Sequence, residues 1–281
     1  MSKTSIFHLS ELPGELRREE LYKAVKAGTL RRLRRSWYAD VNAPADISLA
    51  ISKGLRLTCL SAAKHYGLWT PPHRKLHVYA VHCRSGGSGA SGGFIDKSVI
   101  PHPYPHLTKW PDYKAIASLH LTLLHAGRCL SVPSAAILFE SALNLRMMSP
   151  ADVRAIVQEL PQHRRVALSR LRSDAQSGTE TKVRWFLEGR RYSVRSQVPI
   201  PEVGRVDLVV GASLAIECDS FSYHGARTRY YEDRRRDSAL IALGYTPIRL
   251  TWEDVFLNWD STKARLLGIL ATRRHRYLRP T

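Results

Sequence analysis

Apolar positions along the chain change period several times, and each change marks an element. Phe7 to Leu12 reads as a short helix, broken by Pro13-Gly14. Leu16, Leu21 and Val25 then recur at helical spacing, with Glu19 and Glu20 early, Lys23 and Lys26 late, and Gly28 as the stop. Arg31-Arg-Leu-Arg-Arg-Ser-Trp-Tyr-Ala39 follows, where Leu33, Trp37 and Tyr38 amid arginines suit an exposed strand pair or hairpin. Leu57 to Tyr66 reads as a helix ended by Gly67, and Lys75 to Val81 alternates like a strand. Arg84 to Gly93 is a Gly/Ser-rich loop, and Pro101 to Pro105 a rigid irregular segment. Tyr113 to His125, Pro133 to Leu145 and Ala151 to Leu160 are helical by pattern, the last opened by Ser149-Pro150. A basic helix, His163 to Arg172, leads into Ser173 to Gly178, a natural linker.

Beyond the linker the pattern turns to strands. Ser177 or Thr179 caps a helix running to about Leu187, with Glu180 in its first turn. Arg195 to Ile200 is a strand, Pro201 to Gly204 a turn, Arg205 to Val210 a second strand, Gly211 to Ser213 a turn, and Leu214 to Asp219 a third strand. Three domains are expected: 1–42, a middle α+β domain over 43–172, and 173–281. The fold class is α/β, mixed.

Charge narrows the function. Of 281 residues, 43 are Lys or Arg and 24 are Asp or Glu, for a net charge of +19 and a pI near 10.2. That is the electrostatic footprint of a nucleic-acid binder, although ribosomal and membrane-surface proteins share it. Cys59, Cys83, Cys129 and Cys218 include no C-x-x-C pair, which argues against a zinc ribbon and a disulfide framework. The pairs His77/His82 and His102/His106 match no zinc spacing. No Gly-Lys-Ser/Thr follows the glycine-rich loop, and no serine sits in a nucleophile elbow, which excludes a P-loop and that hydrolase class. The first residues lack a signal-peptide pattern and no apolar run reaches a membrane span, so a reduced cytoplasm is the expectation, with no membrane partner.

The candidate chemistry lies in the last domain. Asp207 and Glu217 both sit inside otherwise apolar strands joined by a tight turn, and Asp219 follows two residues later. Burying a lone carboxylate is costly unless something pairs it. A divalent cation, Mg²⁺ or Mn²⁺, is the economical partner for convergent acids. Carboxylates, metal and water together are the apparatus of phosphodiester hydrolysis.

Glu180, Asp207 and Glu217-x-Asp219 together resemble the PD-(D/E)XK nuclease superfamily, with Asp219 where its lysine usually stands. Gly204-Arg-Val-Asp-Leu-Val-Val, Ala215-Ile-Glu-Cys-Asp-Ser-Phe-Ser-Tyr-His224 and the stretch Asp233 to Trp252 are similar to the very-short-patch mismatch-repair endonuclease branch, and more so to a bacterial domain family related to it. In that branch the lysine is also absent and histidines serve near the phosphate. His224 falls on one such position and Asp219 on another.

The resemblance implies a restriction-endonuclease-like α/β/α domain with a central mixed sheet. Asp207 would be the main metal ligand, Glu217 or Asp219 a second ligand or water orienter, and Glu180 an outer ligand. His224 would be acid/base or phosphate contact, Asp233 its partner, and Arg236 a phosphate clamp; Asp237 reads as a salt-bridge partner.

Leu16 to Gly28 followed by Arg31 to Tyr38 resembles the winged helix-turn-helix module of AbiEi-type antitoxins, whose middle domain would be matched by 43–172. By that likeness a helix bearing Arg17, Arg18, Lys23 and Lys26 enters a DNA groove while Arg31, Arg32, Arg34 and Arg35 touch phosphates. The plainer alternative is a solvated basic face, and for the middle domain a spacer or a surface for a partner protein. Two functions stand open: a DNA-targeted, Mg²⁺-dependent endodeoxyribonuclease, or a non-enzymatic antitoxin-like regulator whose nuclease fold has lost its chemistry.

Overall fold

The structure is a computed structural model that describes residues 6–11, 18–80, 97–103, 112–219 and 226–278, with the side chains of 18, 80, 103 and 226–233 outside that description. The glycine-rich loop at 84–93, Arg17 and His224 therefore lie outside the described residues. The chain divides into two compact units, residues 1–67 with 73–129 and residues 68–72 with 130–281.

The N-terminal unit opens with β1 (Ile6–His8), α1 (Arg18–Lys26), β2 (Leu30–Arg34) and β3 (Trp37–Asp40). The expected helix over 7–12 is corrected: Ile6 to His8 pair antiparallel with Ala39 to Trp37, and only a 3-10 turn remains at Leu9–Glu11. Burial of Ile6 beside Trp37 and Ala39 outweighs the weak local helical preference. The expected basic hairpin is present, with Arg35 and Ser36 as its turn and Ser36 at φ 64°. A register shift between Arg32 and Arg34 kinks β2.

Next come α2 (Ala45–Ser52), β4 (Arg56–Leu57), α3 (Cys59–His65), β5 (Leu76–Ala80), β6 (Val99–Pro103) and α4 (Leu119–Cys129). The sheet order is β4-β5-β6, antiparallel then parallel. Two further expectations change. Pro101 and Pro103 belong to a strand; β6 ends its sheet order, the place where prolines without N–H are tolerated. Residues 113–118 are not helical and precede α4: Ala115 and Ala117 exchange backbone hydrogen bonds with Leu57, and the Ser118 hydroxyl accepts from the Leu121 N–H. The core gathers Ile47, Ile51, Leu55, Leu57 and Val78 against Trp37.

The C-terminal unit starts with α5 (Val132–Asn144), α6 (Pro150–Gln158) and α7 (Gln162–Ala167). Ser149 and Asp152 close a capping box on α6. The expected basic helix stops at Ala167 and passes into a 3-10 turn, Leu168–Arg170. Then follow α8 (Gly178–Glu188), β7 (Val194–Ile200), β8 (Gly204–Val210), β9 (Leu214–Cys218), α9 (Ala226–Ala242), β10 (Thr246–Leu250), α10 (Trp252–Phe256) and α11 (Trp259–Ala271).

The sheet order is β10-β9-β8-β7, with β10 parallel to β9 and the others antiparallel, so it is mixed. One core cluster packs Leu208, Val210, Leu214 and Ile216 with Val183 and Leu187 of α8 and Leu266 of α11. The other packs Val206, Val209 and Ala215 with Leu240 of α9. Helices thus cover both faces. Val206 and Leu208 fall in different clusters and Val209 joins Val206, so the strand's alternation breaks around Asp207.

A buried ion pair anchors α8 to α5. Arg184 and Glu140 are both 0% exposed and hydrogen-bonded to each other. Thr181, Trp185 and the Arg172 backbone also donate to Glu140, and Glu188 takes the other Arg184 nitrogen at 2.9 Å.

Candidate active site

The site begins at the start of α8. The Ser177 hydroxyl accepts from the Glu180 N–H at 3.1 Å and caps the helix, which fixes Glu180 in the first turn. Its carboxylate is buried and accepts from the Gln176 N–H at 3.0 Å and from Gln197 Nε2 at 2.7 Å.

That same amide nitrogen donates to Asp207 Oδ1 at 3.2 Å, so Gln197 bridges two carboxylates from its place on β7. Gln197 holds φ 51°, a left-handed backbone rare in a strand. The β7–β8 register, Ser196 with Leu208 and Val198 with Val206, brackets it opposite Asp207.

Asp207 is tied to the next strand as well, because its Oδ2 accepts from the Cys218 N–H at 2.8 Å. Glu217 lies one step beyond the Leu208–Ile216 pair and is buried. Its Oε1 accepts from Arg236 Nη2 at 2.6 Å, and the same nitrogen donates to the Arg205 carbonyl at 2.7 Å.

These placements crowd negative charge into a largely buried cluster. Burial, and then the charge of Asp207, push the Glu180 carboxyl up to about 7, against the hydrogen bonds from Gln176, Gln197 and Ser177. Burial and Asp207 also raise Glu217, which Arg236 and Arg249 pull back. The Cys218 thiol is raised well above its ordinary value by burial and then by Asp207, Glu180, Glu217 and Asp219. It therefore stays protonated and inert.

The structure brings Glu180, Asp207 and Glu217 into one pocket. Asp219 stands just past β9 on the exposed side, its N–H bonded to the Leu250 carbonyl and its carboxylate 4.0 Å from Arg249. Arg249 also holds Asp237 at 3.0 Å, which pairs Asp237 across to β10. Arg236, expected at a phosphate, is here the counter-ion of Glu217. Gln197 and Arg249 were absent from the sequence expectations. The hairpin register alone identifies Gln197, since the Pro201–Gly204 turn places it across from Asp207.

The donor set is three carboxylates, two of which are raised by burial and then by the charge of the third. Hard oxygen ligands with excess negative charge suit Mg²⁺ or Mn²⁺ rather than a soft metal. Among the basic positions of the N-terminal unit, Lys23, Lys26, Arg31, Arg32, Arg34 and Arg35 lie on its surface, each at least partly exposed. Arg31 donates to the Ser48 hydroxyl at 2.9 Å, and the Arg34 guanidinium packs over Gly54. Arg18 opens α1.

No curated protein matches the chain. Residues 180–270 match the family model REase_MTES_1575, a restriction-endonuclease-like family, and span the acidic pocket from Glu180 through Arg249. Over that stretch the C-terminal part of this protein is similar to restriction-endonuclease-like domains.

Proposed function

We propose that this protein is a divalent-metal-dependent endonuclease that hydrolyses DNA phosphodiester bonds. The observation that carries the reading is the convergence of Glu180, Asp207 and Glu217 from α8, β8 and β9, where burial and then the charge of Asp207 raise both glutamates. Asp207 and Glu217 would hold Mg²⁺ or Mn²⁺, with Glu180 behind them and Asp219 at the exposed rim. A bound cation supplies neutralisation of the scissile phosphate and a water of lowered pKa. Gln197 orients Glu180 and Asp207 together, and Arg236 balances the charge on Glu217. Glu180, poised near neutrality, can take up a proton as charge moves in the pocket. His224 stands in this reading as the acid/base or phosphate contact, a role resting on its sequence position alone.

DNA would be engaged by the winged helix-turn-helix reading of residues 1–42, through α1 and the arginine hairpin, with 43–172 free to meet a partner protein. The net charge of +19 supports a polyanionic substrate. One observation favours the regulator reading: the Arg236 guanidinium is the counter-ion of Glu217.

Incubating supercoiled plasmid with Mg²⁺ or Mn²⁺ separates the two. The wild-type chain should cleave, and Asp207→Asn, which keeps an acceptor for the Cys218 N–H, should fall to background with a thermal midpoint no lower than the wild type's. Equal cleavage by both proteins would sink the site assignment. A wild-type chain that binds DNA tightly and salt-sensitively but cuts neither DNA nor RNA would establish the regulator.

A further inference from the structure

The fold gathers a second polar cluster that sequence spacing conceals. Cys59, His77, His102 and Cys129 each offer one ligand atom, and these four atoms all lie within 4.8 Å of one another. They come from four elements of the N-terminal unit: the first residue of α3, β5, β6 and the last residue of α4. Parallel pairing of β5 with β6 sets His102 beside Tyr79, two residues from His77, so the two imidazoles share a face. His77 Nδ1 and His102 Nε2 are 3.1 Å apart, and Cys129 Sγ lies 3.9 Å from His77 Nδ1. Cys59, His77 and His102 are buried, and Cys129 closes the cluster on the solvent side.

We propose that Cys59, His77, His102 and Cys129 form a structural zinc site in the N-terminal unit. Tetrahedral zinc with ordinary Zn–N and Zn–S lengths requires N···N separations of about 3.3 Å and S···N separations of about 3.5 Å. The observed 3.1 and 3.9 Å differ from these by a few tenths of an ångström, which side-chain rotation supplies. Two thiolates with two imidazoles are a soft donor set that selects zinc over Mg²⁺ or Ca²⁺. Four protein ligands leave no open position, which is the mark of a structural rather than a catalytic ion.

The surroundings are built to hold these atoms still. Cys59 adopts φ 49°, a left-handed conformation that costs a β-carbon residue on the order of 1 kcal/mol and that turns its thiol inward. The Ser61 hydroxyl accepts from the His77 N–H at 2.9 Å, and the His77 carbonyl accepts from the Thr58 N–H. His125 stacks on the His102 ring with centroids 5.0 Å apart and is itself bonded to the Thr58 hydroxyl. Such outer support orients metal-ligating histidines. Zinc here would join two helices to both strands of a parallel pair, so its binding energy would be folding energy for this unit.

The test uses the full chain purified under reducing conditions and dialysed against zinc, then a weak chelator. About one zinc ion per chain should remain. Cobalt in its place should show the intense visible bands of tetrahedral coordination and a thiolate-to-metal charge-transfer band. Cys129→Ser should weaken zinc affinity at least about 100-fold, whereas Cys83→Ser and Asp207→Asn should keep the ion. Less than about a tenth of an equivalent in the wild type, a cobalt spectrum without thiolate charge transfer, or a Cys59–Cys129 disulfide in the reduced protein would each overturn the site. So would loss of zinc in Asp207→Asn with retention in Cys129→Ser. Should Cys129→Ser prove insoluble, the wild-type cobalt spectrum decides alone.

Discussion

The two polar clusters of this protein are built on opposite plans. The acidic pocket of the C-terminal unit is made of neighbours in sequence: a capped helix, then three strands joined by tight turns. Its ligands are hard oxygens, and burial and then the charge of Asp207 leave Glu180 poised near neutral pH. The Cys/His cluster of the N-terminal unit draws one residue from each of four elements spread from Cys59 to Cys129, and its ligands are soft. The contrast governs how each can be found. A site assembled by local hairpins leaves a short motif in the sequence, whereas a site assembled by tertiary packing leaves none.

Three sets of substitutions press on that contrast. The largest effect is expected at Glu180. Its folded pKa is raised from 4.5 to about 7, so the protonated form favours the folded state. That contribution is complete below about pH 4.5 and is lost as pH rises through about 7, above which the buried charge costs up to about 3 kcal/mol. In EDTA, Glu180→Gln should therefore raise the unfolding free energy at about pH 8 by up to that amount and change little at about pH 4. A gain of equal size at both pH values would mean that charge repulsion does not govern the pocket. Zinc content should be untouched by this substitution.

Gln197→Met comes next. Removing the amide that bridges Glu180 and Asp207 should slow cleavage by about 10- to 100-fold and raise the Mg²⁺ concentration needed for half-maximal rate. Loss of rate with no change in metal requirement would reduce Gln197 to packing. The smallest effect belongs to a third kind of charge, the solvent-facing arginines. Replacing Arg32, Arg34 and Arg35 with alanine should flatten the salt dependence of DNA binding, by about one unit of slope for each phosphate no longer neutralised. An unchanged slope would place the hairpin away from phosphates.

Legibility followed the same division. The strands carrying Asp207 and Glu217, the cap before Glu180 and the arginine hairpin were readable because periodicity and turn residues are local signals. The strand at Ile6–His8 was missed because its pairing with β3 is made across more than the length of α1. β6 was missed because its prolines speak against a strand everywhere but an edge. The four-residue Cys/His group leaves no such signal, because the spacing rules that exclude zinc for the pairs His77/His82 and His102/His106 hold for ribbons and fingers, where ligands come from one hairpin or one helix. Gln197 needed register, which only the folded hairpin supplies.

The Glu140–Arg184 pair sets a limit on how this domain can be moved. Every hydrogen bond described within the acidic pocket closes inside residues 176–250. By that measure the chemistry is a cassette, able to ride on other proteins. Yet α8, the helix that presents Glu180, has its buried arginine matched by a glutamate on α5, outside the stretch 180–270 that carries the family likeness. Replacing Glu140 with alanine would leave Arg184 buried without that partner, at a cost of roughly 3–5 kcal/mol. The family likeness and the packing therefore draw different borders here: the likeness begins at Glu180, while the helix that carries Glu180 is packed on a partner as far back as Glu140.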